Sequence, residues 1–343
     1  MLTDLHLQDF RCHAAAHYRG LGPRVAFVGQ NGRGKTTLLE AAYFLARVKS
    51  FRTHQNRELI AWGRPACGVS GHFTGEPDSF LKVTWSPDDR TLTAGNEELS
   101  FRHYWGRCLV TVIQNTDRQL VQGAAQIRRQ WVDSLISTFD PAYLEAVQAG
   151  HLLLRQKNAL LRQDRPDRGT WDALTGQLRR HGETIQRARS GFTTQAAPLL
   201  SRFYADLSGG KEQLALRHAD DLSRQLSRPD EELWRRETEL RVARLGPHRD
   251  DWDMELDGQS LRQFGSEGQQ KSAVLALRDV EVALVREKRG RWPILLIDDA
   301  VNELDAARQE HFWNRLPKEA QILFAATRTD HLPAGLGFSV IQL

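Results

Sequence analysis

The sequence VAFVGQNGRGKTT occupies residues 25–37 and joins three local patterns. Val25–Val28 is an apolar run typical of a buried strand, and the apolar spacing after Thr37 predicts a helix to about Arg47. Between them, residues 29–36 match the Gly-x-x-x-x-Gly-Lys-Ser/Thr pattern of a phosphate-binding loop. A strand, a glycine-rich turn and a helix in this order predict a P-loop that binds ATP. A chance glycine-rich turn before a helix is the weaker interpretation.

The residue types of this loop match its expected chemistry. Glycines let backbone N–H groups approach phosphate oxygens without Cβ clashes, and the helix N terminus adds donors and a positive dipole end. We expect the Lys35 ammonium to reach the β- and γ-phosphates and the Thr36 hydroxyl to bind Mg²⁺. The predicted nucleotide-binding residues of the loop are Gly29, Gln30, Asn31, Gly32, Arg33, Gly34, Lys35, Thr36 and Thr37.

A P-loop also requires a carboxylate at the end of a buried strand to complete its Mg²⁺ site. Residues 293–299, PILLIDD, supply a run of four aliphatic side chains followed by Asp298 at the carboxyl end, where ligands bind in α/β sheets. Asp298 is predicted to bind Mg²⁺ and, with Lys35, to be catalytic. Asp299 is expected to orient or deprotonate the attacking water. The alternative for Asp299 is a carboxylate that stabilises a helix N terminus.

Two serine–glycine segments compete for the role of an ABC-type signature, which contacts the γ-phosphate bound to a second subunit. LSGGK (residues 207–211) precedes an alternating pattern, so Ser208 is predicted to lie in a turn before a strand. GSEGQQK (residues 265–271) opens a long amphipathic helix, whose dipole end would face an anion and for which Ser266 is a good N-cap. We therefore predict that Ser266 is the signature serine.

A signature of this kind predicts a twofold-symmetric, ATP-dependent homodimer, because it completes the nucleotide site of the opposite subunit. Ser266, Gly268 and Gln269 would contact the partner's nucleotide. Residues 302–305, NELD, match the short loop that lies across the dimer seam of ABC heads. Asp305 is accordingly predicted to contact nucleotide as well.

Patterns along the chain divide it into two parts. Strand-like alternation near both ends predicts an α/β head made of residues 1–120 and 245–343. Between 121 and 244, helix-period apolar residues and arginines dominate, with a helix breaker at 164–169. The predicted fold class is α/β: an ABC-type ATPase head with a mixed sheet around the P-loop and an inserted, mainly helical lobe.

Composition excludes several classes. The 343 residues are 40% hydrophobic and 26% charged, which is typical of a globular protein rather than a disordered one. No apolar run reaches the roughly 18 residues of a membrane span, and the first residues lack a basic-then-apolar leader, so a cytosolic protein without a membrane partner is expected. Cys12, Cys67 and Cys108 are widely spaced, which argues against a zinc site or a disulfide framework.

Basic residues concentrate in the helical part. Residues 121–190 hold eleven Arg or Lys and seven Asp or Glu, an excess of +4 that equals the net charge of the whole chain. This excess predicts a phosphate-binding surface whose binding is sequence-independent and weakened by salt. The alternative is a set of solvated helix faces with i, i+4 ion pairs. The DNA-binding candidates are Arg128, Arg129, Arg179, Arg180, Arg187 and Arg189.

The chain resembles the RecF family of bacterial recombinational-repair ATPases, which are related to SMC heads. The P-loop, the signature and residues 298–305 are shared with many ABC and SMC heads. The more diagnostic segments are KSFRT (49–53), ELI (58–60), LVQG (120–123), RRQWVD (128–133) and GPHRDD (246–251). The resemblance implies ATP-dependent dimerisation on DNA near single-strand/double-strand junctions, slow hydrolysis, RecR and RecO as partners, and RecA loading at gaps.

Four positions refine the resemblance. Gln114 stands where ABC heads keep a glutamine that senses Mg²⁺, which implies a catalytic and Mg²⁺-binding role, although the family has a Phe-Ser-Pro-like stretch here. Thr327 and His331 are both candidates for the switch that faces the γ-phosphate. Asp299, like its RecF counterparts, replaces the glutamate of most ABC heads, and its shorter arm would suit an ATP-gated clamp better than a fast motor.

Two other functions compete with this reading. The ATPase subunit of an ABC transporter is disfavoured by the basic helical lobe and by the late position of the signature. A P-loop kinase of a small metabolite needs neither Ser266 nor the loop at residues 302–305. Sedimentation with ATP and duplex DNA separates the three, since a kinase would stay monomeric and a transporter subunit would ignore DNA.

Overall fold

The chain forms two compact units. The computed structural model describes residues 1–53, 55–298, 306–333 and 335–343. Unit 1 comprises Met1–Asp117 with Glu281–Leu343, and unit 2 comprises Arg118–Val280. Within the described residues, no helix is both long and apolar enough to cross a membrane.

The described strands are short and distributed along the whole chain. They are β1 (Leu2–Phe10), β2 (His13–Arg19), β3 (Arg24–Val28), β4 (Cys67–Phe73), β5 (Phe80–Trp85), β6 (Arg90–Ala94), β7 (Glu97–Glu98), β8 (Val110–Gln114), β9 (Leu214–Ala219), β10 (Asp251–Leu256), β11 (Gln259–Ser260), β12 (Ile294–Asp298), β13 (Ile322–Ala326) and β14 (Ser339–Gln342).

The longest described helices lie between residues 141 and 289. The helices are α1 (Lys35–Arg47), α2 (Phe101–Tyr104), α3 (Gln119–Gln122), α4 (Ala125–Phe139), α5 (Pro141–Leu161), α6 (Arg168–Ser208), α7 (Asp221–Leu226), α8 (Asp230–Leu240), α9 (Leu261–Phe264), α10 (Glu267–Arg289) and α11 (Ala306–Arg315).

Unit 1 contains a five-stranded parallel sheet in the order β14-β3-β13-β12-β8. Its inner strands are almost entirely apolar because both faces of a parallel sheet are covered. The side chains of Ile294–Ile297 and Ile322–Ala326 are accordingly buried. The carboxyl ends of β3, β12 and β8 meet at one edge, which positions the residues that follow these strands.

A six-stranded antiparallel sheet, β2-β1-β4-β5-β6-β7, forms the rest of the β-structure of unit 1. Helix α1 packs against strands of both sheets, so that Leu38, Leu39 and Phe44 share one core with Leu5 of β1 and Leu296 of β12. The fold class predicted from sequence is confirmed. The structure refines it in one respect, because parallel and antiparallel strands form separate sheets rather than one mixed sheet.

Unit 2 is built on the long helices α5 and α6 and a three-stranded antiparallel sheet, β11-β10-β9. The predicted breaker at residues 164–169 falls between the two helices, and the Asp167 side chain accepts a hydrogen bond from the Thr170 backbone at the start of α6. Helix α6 ends at Ser208, with Gly209 in the left-handed conformation that favours glycine.

The boundary between the units differs from the one expected from sequence. Residues 245–280, assigned there to the head, belong to unit 2, which ends at Val280 within α10. The reason is strand pairing: β10 pairs along its whole length with β9, from Asp251 opposite Ala219 to Leu256 opposite Leu214. Alternation identified β10 as a strand, but its partner lies more than thirty residues earlier in the chain, beyond the reach of a local pattern.

Candidate functional site

The P-loop lies at the carboxyl edge of the parallel sheet. Strand β3 ends at Val28, and α1 begins at Lys35. Gly32 and Gly34 have φ angles of 84° and 90°, in the left-handed region that favours glycine. A Cβ atom on Gly34 would also lie only 2.6 Å from His13 Nε2. The backbone geometry at position 34 therefore favours glycine, and a Cβ atom there would also require the His13 side chain to move.

The Lys35 side chain is folded over the loop. Its Nζ donates to the carbonyl oxygens of Gly29 at 2.8 Å and Gln30 at 3.0 Å, and the residue is almost completely buried. Charged phosphate oxygens are stronger acceptors than these neutral carbonyls. The ammonium is thus held where a phosphate on the loop would meet it.

Thr36 and Asp298, predicted to share an Mg²⁺ ion, are in direct contact. Thr36 Oγ1 donates to Asp298 Oδ1 at 2.8 Å, although 262 residues separate them in sequence. Asp298 is the last residue of β12, as the aliphatic run predicts. A hydroxyl and a carboxylate at one point form the oxygen donor set that Mg²⁺ takes beside nucleotide phosphates. The residues present therefore fit this ion.

Gln114 reaches the same edge from the neighbouring strand. It ends β8 and pairs directly with Asp298 in the parallel register of β8 and β12. Its backbone N–H donates to Asp117 Oδ2 at 3.1 Å, which stabilises the turn after the strand. Sequence resemblance alone singled out Gln114, and the register places it beside the carboxylate predicted to bind Mg²⁺.

A cleft of about 670 Å³ opens beside the loop and is mostly polar. Thr327 lines this cleft, whereas His331 contacts it through a 3.2 Å hydrogen bond between its Nδ1 and the Thr327 hydroxyl. The two candidates for the γ-phosphate switch are therefore hydrogen-bonded to each other. The lining residues are Val28, Gly29, Gln30, Arg33, Thr327, Arg328, Thr329, Asp330, Gln342 and Leu343.

Sequence reasoning missed a buried carboxylate on α1. Glu40 is fully buried, and its oxygens accept two hydrogen bonds from Arg11, at 3.0 and 2.7 Å, and one from the Ser50 hydroxyl. Arg52 Nη1 lies 3.5 Å from the same group. A glutamate among the apolar residues of α1 was the available signal, since a buried charge needs partners. Glu40 ties the P-loop helix to the KSFRT segment.

The signature segment in unit 2 has the predicted helix-opening geometry. Ser266 Oγ accepts from the Gln269 backbone N–H at 3.2 Å, while Gln269 Oε1 accepts from the Ser266 N–H at 2.7 Å. This is a capping box, so the N-cap prediction for Ser266 is confirmed. Gly268 lies in the first turn, and Gln269 also donates to Glu212 at 2.7 Å.

The rival serine has no such geometry. Ser208 is the last residue of α6, where the helix exposes carbonyl groups rather than N–H donors, and β9 follows at Leu214. Ser208 was predicted to lie in the turn itself, but α6 continues to this residue and the turn begins at Gly209. The predicted strand after it is confirmed as β9. Two other predicted site residues, Asp299 and Asp305, lie outside the described residues, as does the whole loop at 302–305.

Two of the predicted DNA-binding arginines have a different role in the structure. Arg128 and Arg189 are almost completely buried in unit 2. Arg128 makes a bidentate contact with Asp251, at 2.8 and 2.9 Å, and Arg189 binds Asp133 at 2.8 Å and Asp250 at 2.7 Å. Their charges are neutralised inside the protein. This corrects the interpretation of both residues as DNA contacts.

The other four candidates differ in exposure. Arg129 and Arg179 are half-buried and donate to backbone carbonyls, Arg129 to Asp250 and Arg179 to Arg228, each at 2.8 Å. Arg180 and Arg187 are exposed on α6. These two are the candidates whose guanidinium groups remain accessible to a phosphate backbone.

The GPHRDD segment (246–251) supplies two of the three carboxylates that pair with Arg128 and Arg189, Asp250 and Asp251. Asp250 is fully buried and also accepts from the Leu222 backbone at 2.8 Å. Burial alone would raise the pKa of Asp250, but hydrogen bonding from His218 and the charge of Arg189 hold it below its ordinary value. Burial would lower the pKa of Arg189, but Tyr143, Asp133 and Asp250 raise it well above its ordinary value. The segment therefore stabilises unit 2.

Comparison with known proteins decides the family. The chain is 31% identical to the DNA replication and repair protein RecF of Synechococcus sp. (strain JA-3-3Ab), over 100% of this chain and 96% of that protein. It is 35% identical to the RecF of Thermosynechococcus vestitus, over 90% of this chain and 86% of that protein. The chain belongs to the RecF family. A scan against protein-family models found no match for this chain.

Solved structures agree on the fold. A structure of the recombination mediator protein RecF with ATP, from the RecFOR pathway, covers 97% of this chain at a TM-score of 0.89 and 20% identity. The Smc head domain of Pyrococcus furiosus covers 95% at a TM-score of 0.52 and 15% identity. These neighbours show that this RecF-family chain has the fold of an ABC-type ATPase head.

Proposed function

We propose that this chain is an ATP-dependent DNA-binding protein of recombinational repair and replication restart. The observation that carries the proposal is the contact between Thr36 of the P-loop and Asp298 at the end of β12. This contact brings a hydroxyl and a carboxylate suited to Mg²⁺ together beside a phosphate-binding loop, in a chain that is 31% identical to a named DNA replication and repair protein. Bound Mg²⁺ would polarise the γ-phosphate for attack by water.

The residues of the chain have different roles at this site. Lys35 leaves the carbonyls of Gly29 and Gln30 to bind the β- and γ-phosphates, and the loop N–H groups hold their remaining oxygens. Thr36, Asp298 and Gln114 hold the metal ion. Asp299 orients the attacking water, and its short arm supports slow hydrolysis that resets the protein.

The second half of the site comes from another copy of the chain. Ser266, Gly268 and Gln269 open α10 with N–H donors and a positive dipole end, which suit a γ-phosphate. By its resemblance to the seam loop of ABC heads, Asp305 of the same copy would also contact this nucleotide. ATP binding thereby closes a twofold dimer, and hydrolysis opens it.

DNA is the partner whose phosphates match the exposed arginines of unit 2. Of the eleven basic residues between 121 and 190, Arg155, Arg162, Arg165, Arg180 and Arg187 are exposed. The ATP-bound dimer holds double-stranded DNA near single-strand/double-strand junctions. With RecR and RecO it promotes RecA loading, a role that rests on the family and on the neighbours' RecFOR pathway.

The test combines sedimentation with DNA binding. Wild-type protein should be monomeric without ATP, dimeric with ATP, and bound to duplex DNA in the dimeric state. Lys35→Arg should weaken hydrolysis, and Ser266→Arg should bind ATP without dimerising. A monomer at saturating ATP would contradict the proposal and favour a kinase, and an ATP-dependent dimer that ignores DNA would favour a transporter-type subunit.

A further inference from the structure

A tryptophan in unit 1 is entirely exposed to solvent. Trp62 has a relative accessibility of 100%. It lies in the turn Ala61–Arg64, which is closed by a 3.0 Å hydrogen bond from the Arg64 N–H to the Ala61 carbonyl. Gly63 has a φ of 72°, so its left-handed conformation completes the turn. The indole contributes nothing to the core of its own unit.

The turn is attached firmly to the antiparallel sheet. The Ala61 N–H donates to the Asp9 carbonyl at 2.8 Å, and the Arg11 N–H donates to the Leu59 carbonyl at 2.7 Å. The Leu59 side chain is fully buried in the core. Arg64 also pairs with the Asp9 carboxylate at 3.2 Å. These contacts hold the backbone that carries Trp62 in place, which lowers the conformational-entropy cost of binding a ligand through this side chain.

The surroundings of this tryptophan are basic. Residues 49–64 hold Lys49, Arg52, Arg57 and Arg64 and one acid, Glu58. Two acids from outside this stretch pair with it, Asp9 with Arg64 and Glu40 with Arg52, and Glu40 also pairs with Arg11. These five cations and three anions leave an excess of +2. Arg52, Arg57 and Arg64 are all exposed. An aromatic ring flanked by cations suits a nucleic acid, because bases stack on the ring while the guanidinium groups meet phosphates.

We propose that Trp62 stacks on an unpaired base where duplex DNA gives way to a single strand. A base within a duplex has both faces covered by its neighbours and is held by its pairing partner, whereas an unpaired base is free to leave the stack and offer a face to an indole. The inference rests on the DNA binding proposed above and assigns the preference for junctions to one side chain. A protein partner could also use an exposed tryptophan, but the excess of positive charge favours a polyanion.

The experiment measures binding of ATP-loaded protein to three DNAs at one salt concentration. These are a blunt duplex, the same duplex with a single-stranded extension, and that junction with abasic sites at its first unpaired positions. Trp62→Ala is compared with Trp62→Phe, which keeps a ring, and with Leu240→Ala, which removes an exposed apolar side chain from α8 in unit 2.

Wild-type protein should bind the junction about tenfold more tightly than the blunt duplex, since base–aromatic stacking contributes on this scale. Trp62→Ala should lose that preference and keep blunt-duplex affinity, while Trp62→Phe and Leu240→Ala should retain it. Abasic sites should weaken wild-type binding to the level of Trp62→Ala and leave Trp62→Ala unchanged.

Other outcomes would contradict either the inference about Trp62 or the proposed function. Trp62→Ala that binds all three DNAs like wild type overturns the inference and leaves the proposed function standing. If wild-type protein binds none of the DNAs, the proposed function itself fails.

Discussion

At the residue scale, the Mg²⁺ site depends on one carboxylate. Asp298→Asn keeps the shape of the side chain but removes the charge beside Thr36. We expect ATP affinity in Mg²⁺ to fall by about tenfold or more, since a hydrogen bond or contact to a charged group contributes roughly 1.5–3 kcal/mol. Titration calorimetry with Mg²⁺ and with EDTA checks this. An equal loss in both buffers would mean that Asp298 supports the loop rather than the ion.

Another residue-scale prediction concerns Arg189 and Asp250 in unit 2. Arg189→Met leaves buried Asp250 without its cation, which should lower the free energy of unfolding by about 3–5 kcal/mol at pH 7. Arg187→Ala, two positions away and exposed, should change it by less than about 0.5 kcal/mol. Urea unfolding followed by fluorescence gives both values. Similar midpoints for the two variants would show that the ion pair contributes little.

The same pair predicts a pH dependence. The folded pKa of Asp250 lies below its ordinary value of 3.8. Its stabilising contribution is therefore present above about pH 4 and lost as pH falls through the folded pKa. Unfolding midpoints of wild type should drop across this acid range more steeply than those of Asp250→Asn, which has no charge to lose. Parallel profiles would assign acid sensitivity to other groups.

Residue identity alone predicted Lys35, Thr36 and Asp298, because the P-loop chemistry demands these types at fixed places. It did not predict the role of Glu40, whose partners Arg11 and Ser50 lie outside α1. Nor did residue identity predict that Arg189 is buried whereas Arg187 is exposed. The two have the same chemistry and lie two residues apart, and only burial distinguishes them.

At the element scale, the two glycines of the P-loop provide a matched test. Gly32→Ala and Gly34→Ala both place a Cβ on a residue with φ near 90°, which costs on the order of 1–2 kcal/mol. Only at Gly34 does the new atom also meet His13, whereas the space around Gly32 is open. Gly34→Ala should lower the thermal midpoint and the ATP affinity more than Gly32→Ala. Equal effects would show that backbone strain alone matters.

Elements were predicted well where their signals are local. The strand–loop–helix around residues 25–47 and the aliphatic run of β12 are self-contained patterns. The helix start at Ser266 was also predicted on local grounds and is confirmed, since Ser266 opens α10 whereas Ser208 closes α6. The signature role of Ser266 stays a prediction. Which strands share a sheet was not predicted, because pairing joins segments that are distant in sequence.

At the scale of the whole molecule, the exposed arginines of α6 should set the salt dependence of DNA binding. Each phosphate contact contributes about one to the slope of log K against log [salt]. Arg180→Gln with Arg187→Gln should therefore reduce the slope by about two. Arg217→Gln, an exposed arginine on β9, is the control and should leave it unchanged. A slope near zero for wild type would exclude the proposed phosphate surface.

The sequence by itself determined the chemistry of the P-loop, the carboxylate at residue 298 and the helix start at residue 266. Each depends on spacing within a few residues and on backbone rules that apply locally. The tertiary structure alone decided that Gln114 lies beside Asp298, that residues 245–280 belong with unit 2, and which arginines stay exposed. All three features depend on contacts between residues that are distant in sequence. Arg189 is an example: its partners Asp133 and Asp250 lie 56 and 61 residues away, and they neutralise the charge of its buried guanidinium.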